Sequence, residues 1–150
     1  MFRGVHNLTV DAKGRIKVPM RHQVQIDSTC AGQMVLSIHP DDPCLLLYPL
    51  KNWQALEDKV SALPSLNMHT KRLKRKIIGH ATNCDLDKAA RLLIPVALRD
   101  YANIGKKIIL SGQGHNFELW DEETWNKQLK NLDALSKKEA IPIEISQLSL

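Results

Sequence analysis

Cysteine is scarce in this 150-residue chain, and its pattern is not a pairing pattern. Cys30, Cys44 and Cys84 are odd in number and form no C-x-x-C spacing. Neither a disulfide framework nor a zinc ribbon is expected on that ground. Three thiols used as small apolar residues, in a reducing compartment, fit better. No apolar run approaches the roughly 20 residues that span a bilayer. The N-terminal stretch MFRGVHNLTVDAKGR lacks the apolar core and cleavage site of a secretory signal. The expectation is therefore a soluble cytoplasmic protein with no membrane partner.

Motifs for site chemistry are also missing. The 6 histidines (His6, His22, His39, His69, His80, His115) show no H-x-x-x-H or H-E-x-x-H pattern, and His80 with Cys84 has no second pair, so no metal is expected. There is no G-x-S-x-G and no Walker motif. Gly112-Gln-Gly114 lacks the third glycine and the following helix of a dinucleotide fingerprint and reads as a hairpin turn. Asp11 and Asp87 have no partner acid, which favours turn capping over catalysis. No cofactor, small-molecule substrate or enzymatic activity is expected.

What the chain does contain is a duplication. Asp11-Ala-Lys-Gly-Arg15-Ile-Lys-Val-Pro19 returns as Asp87-Lys-Ala-Ala-Arg91-Leu-Leu-Ile-Pro95, and Tyr48-Pro-Leu-Lys-Asn-Trp53 returns as Trp120-Asp-Glu-Glu-Thr-Trp125. The offsets, 76 and 72 residues, differ by one short surface loop, which loops tolerate. Each copy opens on a D-x-x-x-R turn. A short strand follows, with Ile16 and Val18 on one face and Arg15 and Lys17 on the other, and a proline ends it. Two further strands come next, Met34–Ile38 and Cys44–Tyr48 in the first copy, Lys107–Ser111 and Asn116–Trp120 in the second. A helix closes each copy. Trp53, Leu56, Val60 and Leu63 share one helical face. In the second copy Asp121 is the expected N-cap, and Trp125, Leu129 and Leu132 form the apolar stripe. The three tryptophans read as core anchors at strand ends and helix starts, rather than as stacking platforms for bases.

A three-strand unit of this size cannot bury both faces of its sheet alone. Two copies closing on each other can. The expected fold is α+β, mainly β with helices: one β-barrel built from two pseudo-symmetric halves. Residues 1–63 form the first repeat with its helix, 64–80 a basic helical connector, 81–132 the second repeat with its helix, and 133–150 a C-terminal tail whose apolar stretch, 140–150, packs on a neighbour or frays. In the connector, Lys71–Lys76 reads as the exposed face of an amphipathic helix with Leu73 and Ile77 inward, with accessory phosphate contact as the alternative.

These motifs, with Met1-Phe2-x-Gly4 at the start and Phe117-Glu-Leu-Trp120-Asp followed by Trp125 in the second half, resemble the MraZ family of bacterial transcription regulators over roughly residues 1–130. The resemblance implies two SpoVT/AbrB-type repeats folded as a swapped-hairpin barrel and ring-shaped homo-oligomers. It also implies binding to short direct repeats of double-stranded DNA upstream of the division and cell-wall gene cluster. The chain departs from the pattern at Ala90, which stands where the first copy has Gly14; alanine suits a positive φ less well, so the second turn is expected to hold one less readily.

The charge agrees with a polyanionic partner. The net charge is +5, and the first 26 residues supply five basic side chains, Arg3, Lys13, Arg15, Lys17 and Arg21, against Asp11 alone. Such clustering is a phosphate-facing footprint. Asp11 is expected to shape the turn by accepting backbone N–H bonds, Gly14 to supply its conformation, and Arg15 to reach a base edge with its bidentate fork. The second copy has Ala89, Leu93 and Ala97 at the positions of Lys13, Lys17 and Arg21. A division of labour is therefore expected: the first repeat on DNA, and the second, with Asp87 and Arg91, in structural and subunit contacts. Basic and acidic stretches alternate along the chain, which suits head-to-tail association into rings. The competing readings are a solvated strand edge that discourages aggregation and an AbrB-like protein-interaction module, antitoxin-like or scaffolding, without sequence-specific DNA binding. A regulator of this kind would be nucleoid-associated.

Overall fold

The computed structural model describes residues 1–150. In chain order the elements are β1 (Val5–Thr9), β2 (Arg15–Lys17), α1 (Met20–Cys30), β3 (Met34–Ile38), β4 (Leu45–Pro49), α2 (Leu50–Ser61) and α3 (Met68–Leu73), which runs on into a π-helical turn, Lys74–Ile78. There follow β5 (Thr82–Asn83), β6 (Arg91–Leu93), α4 (Val96–Tyr101), β7 (Lys107–Gly112), β8 (Phe117–Asp121), α5 (Glu122–Ser136) and α6 (Ile143–Ser146).

Alternation along the strands builds the main core. One face of the central sheet carries Leu36, Ile38, Leu45, Leu47, Ile108, Leu110, Phe117 and Leu119, all within the same apolar cluster. Onto that face pack Ile16, Val18, Leu92 and Ile94 together with Ile26 and Cys30 of α1, Leu98 of α4 and Ala102 just after it. The intervening strand residues point the other way. Val35 meets Trp53 of α2 and Ile77 of the π turn, while Ile109 meets Cys44 and Trp120. All three cysteines are free and buried.

The expected barrel is not formed. The six-stranded sheet has the order β1-β7-β8-β4-β3-β5 and ends in two open edges, and β2 and β6 make a separate two-stranded ribbon. Closure needs a hydrogen-bonded ladder all the way round. Here β5 is only two residues long, and the strands that could have bridged the edges, β2 and β6, spend their hydrogen bonds on each other. The fold is an α+β layered domain: a central sheet, the ribbon with α1 and α4 on one face, and α2, the π turn and the start of α5 on the other.

The duplication is visible as a pseudo-dyad through the middle of the sheet, where β4 pairs antiparallel with β8. The halves also exchange strands. The first-half strand β1 pairs with second-half β7, and second-half β5 pairs with first-half β3. Neither half completes its own sheet.

Three helices, α1, α4 and α6, stand where the sequence pattern shows none. After Pro19 and Pro95 the chain enters α1 and α4, because a proline with φ near −55° starts a helix as readily as it ends a strand. His22, Ile26 and Cys30 recur every four residues and face the core. Asp121 stands at the N-cap of α5 as expected, but its side chain caps nothing; its Oδ1 accepts from Gly105 N at 3.0 Å. The α5 stripe is also not core, since Leu129 and Leu132 are 44% and 52% exposed.

Phe117 is fully buried and touches Phe2 and His22 with ring centroids 4.3 and 5.0 Å away. Truncating such a residue removes its transfer energy and leaves a cavity. Phe117→Ala is expected to cost about 3–5 kcal/mol, read as a lowered urea midpoint at unchanged slope.

His22 gives a pH dependence. Its Nε2 lies 3.0 Å from Nε2 of His6, so only one of the two nitrogens can carry the shared proton. Burial, then the neighbouring His6 and Arg21, pushes its pKa down to about 4 from the ordinary 6.5. Between those values the unfolded chain binds a proton that the folded chain refuses. This contribution to stability is therefore intact above the ordinary value and is lost as pH falls towards about 4. Urea midpoints measured against pH should decline through that window, and His22→Gln should flatten the decline.

Candidate nucleic-acid interface

The two D-x-x-x-R turns are built alike. Asp11 Oδ1 accepts from the backbone N–H of Lys13 and of Arg15, both at 2.9 Å, and Asp11 Oδ2 accepts from Arg15 Nε at 2.8 Å. Asp87 does the same with Ala89 N at 2.8 Å, Arg91 N at 2.9 Å and Arg91 Nε at 3.1 Å. To these backbone bonds the structure adds an ion pair within each motif. Backbone N–H bonds, led by that of Arg15 and of Arg91 respectively, hold both carboxyls below their usual pKa.

These ion pairs hold each arginine without consuming it. Only Nε is engaged; Nη1 and Nη2 of Arg15 and Arg91 have no partner in the chain and are not buried. The carboxylate fixes the plane of the guanidinium and leaves its outer edge for a ligand, the edge that pairs bidentately with phosphate or guanine.

The ribbon brings the two motifs onto one surface. Arg15 lies opposite Leu93, Ile16 opposite Leu92 and Lys17 opposite Arg91. Ile16 and Leu92 point into the core, each 1% exposed. Arg15, Lys17, Arg91 and Leu93 therefore share the outer face. Lys17 and Leu93 are exposed there. Arg91, expected to belong to a separate structural half, is the direct cross-strand neighbour of Lys17. Each turn also accepts from the far strand: Val18 N donates to Ala90 O and Ile94 N to Gly14 O, both at 2.9 Å.

Lys13 is exposed at the tip of the first turn. Arg3 and Arg21 are exposed but lie elsewhere; Arg21 Nη1 approaches Gly4, beside His6. In the connector, Arg72 is tied to Asp41 at 3.0 Å and to Pro40 O, and Lys76 donates to Pro40 O, while Leu73 and Ile77 face the core side as expected. No group of three or more His, Cys, Asp or Glu side chains is placed to hold a metal. No helix is long and apolar enough to cross a membrane.

Gly14 and Ala90 differ less than expected. Gly14 has φ +83° and Ala90 φ +57°, so the second turn holds its positive φ despite the Cβ. The Asp87 bonds on either side and the Ala90 N to Asp87 O bond at 3.0 Å keep it there.

A duplicated, strand-exchanged domain with an arginine-bearing ribbon is the class that fold and site define. The family profile described as "MraZ protein, putative antitoxin-like" matches this chain twice, over residues 1–76 and 77–141. A protein of Alkalilimnicola ehrlichii named "Transcriptional regulator MraZ" is 45% identical over 150 residues, covering all of both chains. Proteins of the same name from Pseudomonas putida and Pseudomonas aeruginosa are 44% and 43% identical over 151 residues, again covering all of both chains. The chain belongs to the MraZ family of transcriptional regulators.

The two turns respond differently to substitution. Gly14→Ala should destabilise by about 1–2 kcal/mol through the left-handed conformation imposed on an L side chain, and further because the new Cβ would displace the Arg99 guanidinium, whose Cζ lies 2.7 Å from it. Ala90→Gly should raise the melting temperature, because relief of that strain exceeds the added unfolded-state entropy of about 0.4–1 kcal/mol. Thermal melts of both variants check this.

Proposed function

We propose that the protein is a sequence-specific DNA-binding regulator of transcription whose β2–β6 ribbon lies against double-stranded DNA. The observation that carries this reading is Arg15: oriented by Asp11, open at Nη1 and Nη2, and flanked on one face by Lys17 and Arg91. A two-stranded ribbon is of a size that the major groove of B-DNA admits. Arg15 pairs with a guanine edge, while Lys13 and Lys17 contact phosphate; Arg3 and Arg21 extend the electrostatic footprint. Asp11, Gly14 and Asp87 shape the turns, and Arg91 closes the second turn through Asp87 while lying beside Lys17 on the same outer face.

A ring of identical subunits would present one ribbon per protomer. Short direct repeats about one helical turn apart, upstream of the division and cell-wall gene cluster, would then meet successive ribbons on one side. Weak single contacts add through avidity. Residues 1–63 and 81–132 act as the two repeats, 64–80 as their connector and 133–150 as a C-terminal tail. The protein works in the cytoplasm, on the nucleoid.

Arg15→Ala is expected to abolish sequence-specific gel shifts while leaving the oligomer unchanged by size exclusion. Arg91→Ala should disturb assembly or stability more than DNA contact. The reverse pattern would overturn the assignment of roles. An intact oligomer of the parent protein that shows neither salt-dependent heparin retention nor sequence preference would favour the protein-interaction module instead.

A further inference from the structure

One cation beside the first corner comes from the other half of the chain. Arg99 of α4 lies across Gly14. A Cβ placed on Gly14 would stand 2.7 Å from Arg99 Cζ, 2.9 Å from Nη2 and 3.0 Å from Nη1. The guanidinium is thus laid over the tip of the Asp11–Arg15 turn, and the bare glycine gives it room. Arg99 Nε donates to Ile94 O at 3.0 Å, while Ile94 N in turn donates to Gly14 O.

Arg99 has no acidic partner, and its Nη1 and Nη2 have no hydrogen-bond partner and are not buried. It therefore repeats the arrangement of Arg15: Nε tied down, outer edge free. A cleft of about 550 Å³ opens beside it, lined by Asp11, Ala12, Arg99 and Lys106 among others. The one carboxylate in that wall, Asp11, is already neutralised by Arg15.

The pseudo-dyad supplies an internal control. The 76-residue offset maps Arg99 onto Gln23 and Ile94 onto Val18. Gln23 Nε2 donates to Val18 O at 2.7 Å, the same bond made by an uncharged side chain. Anchoring this position to the strand needs no charge. The charge of Arg99 is an addition, placed on the one corner that already carries Lys13, Arg15 and Lys17.

We propose that Arg99 is a DNA phosphate-binding residue, contributed by the second repeat to the corner of the first, with Lys106 lining the same cleft. This rests on the reading that the ribbon faces DNA. A phosphate flanking the base pair read by Arg15 is held between the two guanidiniums, so the second repeat takes part in the contact through α4 rather than through its own turn. Asp11 and Gly14 then each serve twice, as the makers of the turn and as the bed on which both arginines lie.

The test is Arg99→Gln, which installs the side chain present at the dyad-related position and keeps the bond to Ile94 O. Affinity is measured across a salt series for a duplex carrying the upstream repeats and for a scrambled duplex. Arg99→Gln is expected to weaken both duplexes by a similar factor, severalfold or more. It should also reduce the slope of log K against log salt by about 0.9 per engaged protomer, with melting temperature and oligomer size unchanged. Arg99→Lys should recover part of the loss. Unchanged affinity and slope in Arg99→Gln, with Arg15→Ala still inactive, would overturn the proposal and leave the ribbon reading standing. Loss of preference for the repeats alone, with scrambled DNA unaffected, would overturn the phosphate assignment. A parent protein with no affinity for either duplex would overturn the ribbon reading itself.

Discussion

The pairing of two three-residue strands governs this molecule. Alone, β2 and β6 are too short to persist. Joined, they register the halves of the chain, because Val18 and Ile94 each donate to the turn of the opposite half. That register puts Ile16 and Leu92 into the core and Arg15, Lys17 and Arg91 onto the outer surface. A slip of one residue would exchange those two sets, burying charge and exposing the seam. The exchanged outer strands, β1 on β7 and β5 on β3, hold the same alignment from the other side of the core.

Charge is organised on that frame by restraint. Each motif aspartate spends one oxygen on two backbone N–H groups and the other on a single arginine nitrogen. The bond to Nε removes rotamer freedom that would otherwise be lost on binding. The free Nη edges keep their capacity for a further partner. A bidentate internal pair would have given a more tightly closed turn and an inert one.

Much of this was legible in the chain. The 76-residue repeat located both turns, the apolar run bounded by turn residues placed β3 at its observed bounds, and the period-two pattern sorted Ile16 and Val18 from Arg15 and Lys17. Local pattern reaches that far because those decisions are local. The helices after Pro19 and Pro95 are obscured in the sequence: proline marks both a strand end and a helix start, and the apolar residues of α1 do not fall on one face, since Met20 and Val24 are exposed while His22 is buried. The open sheet was beyond reach for a different reason. Whether edges close depends on pairing between strands distant in sequence, and nothing within β2 or β6 says that they choose each other. Arg99 was hidden likewise. Only the folded chain brings α4 over Gly14, although comparison of Gln23 with Arg99 across the repeat would have flagged a charge gained on one side alone.

Joining both halves in one polypeptide has an outcome that a dimer of identical repeats could not have. In a true twofold dimer every residue on the ribbon would be mirrored, and the surface would look the same after half a turn. Here Arg15 faces Leu93, Lys17 faces Arg91, and Arg99 has only Gln23 as its counterpart. The ribbon consequently has a head and a tail. Anything it grips is gripped with polarity, so successive copies in a row would all point the same way.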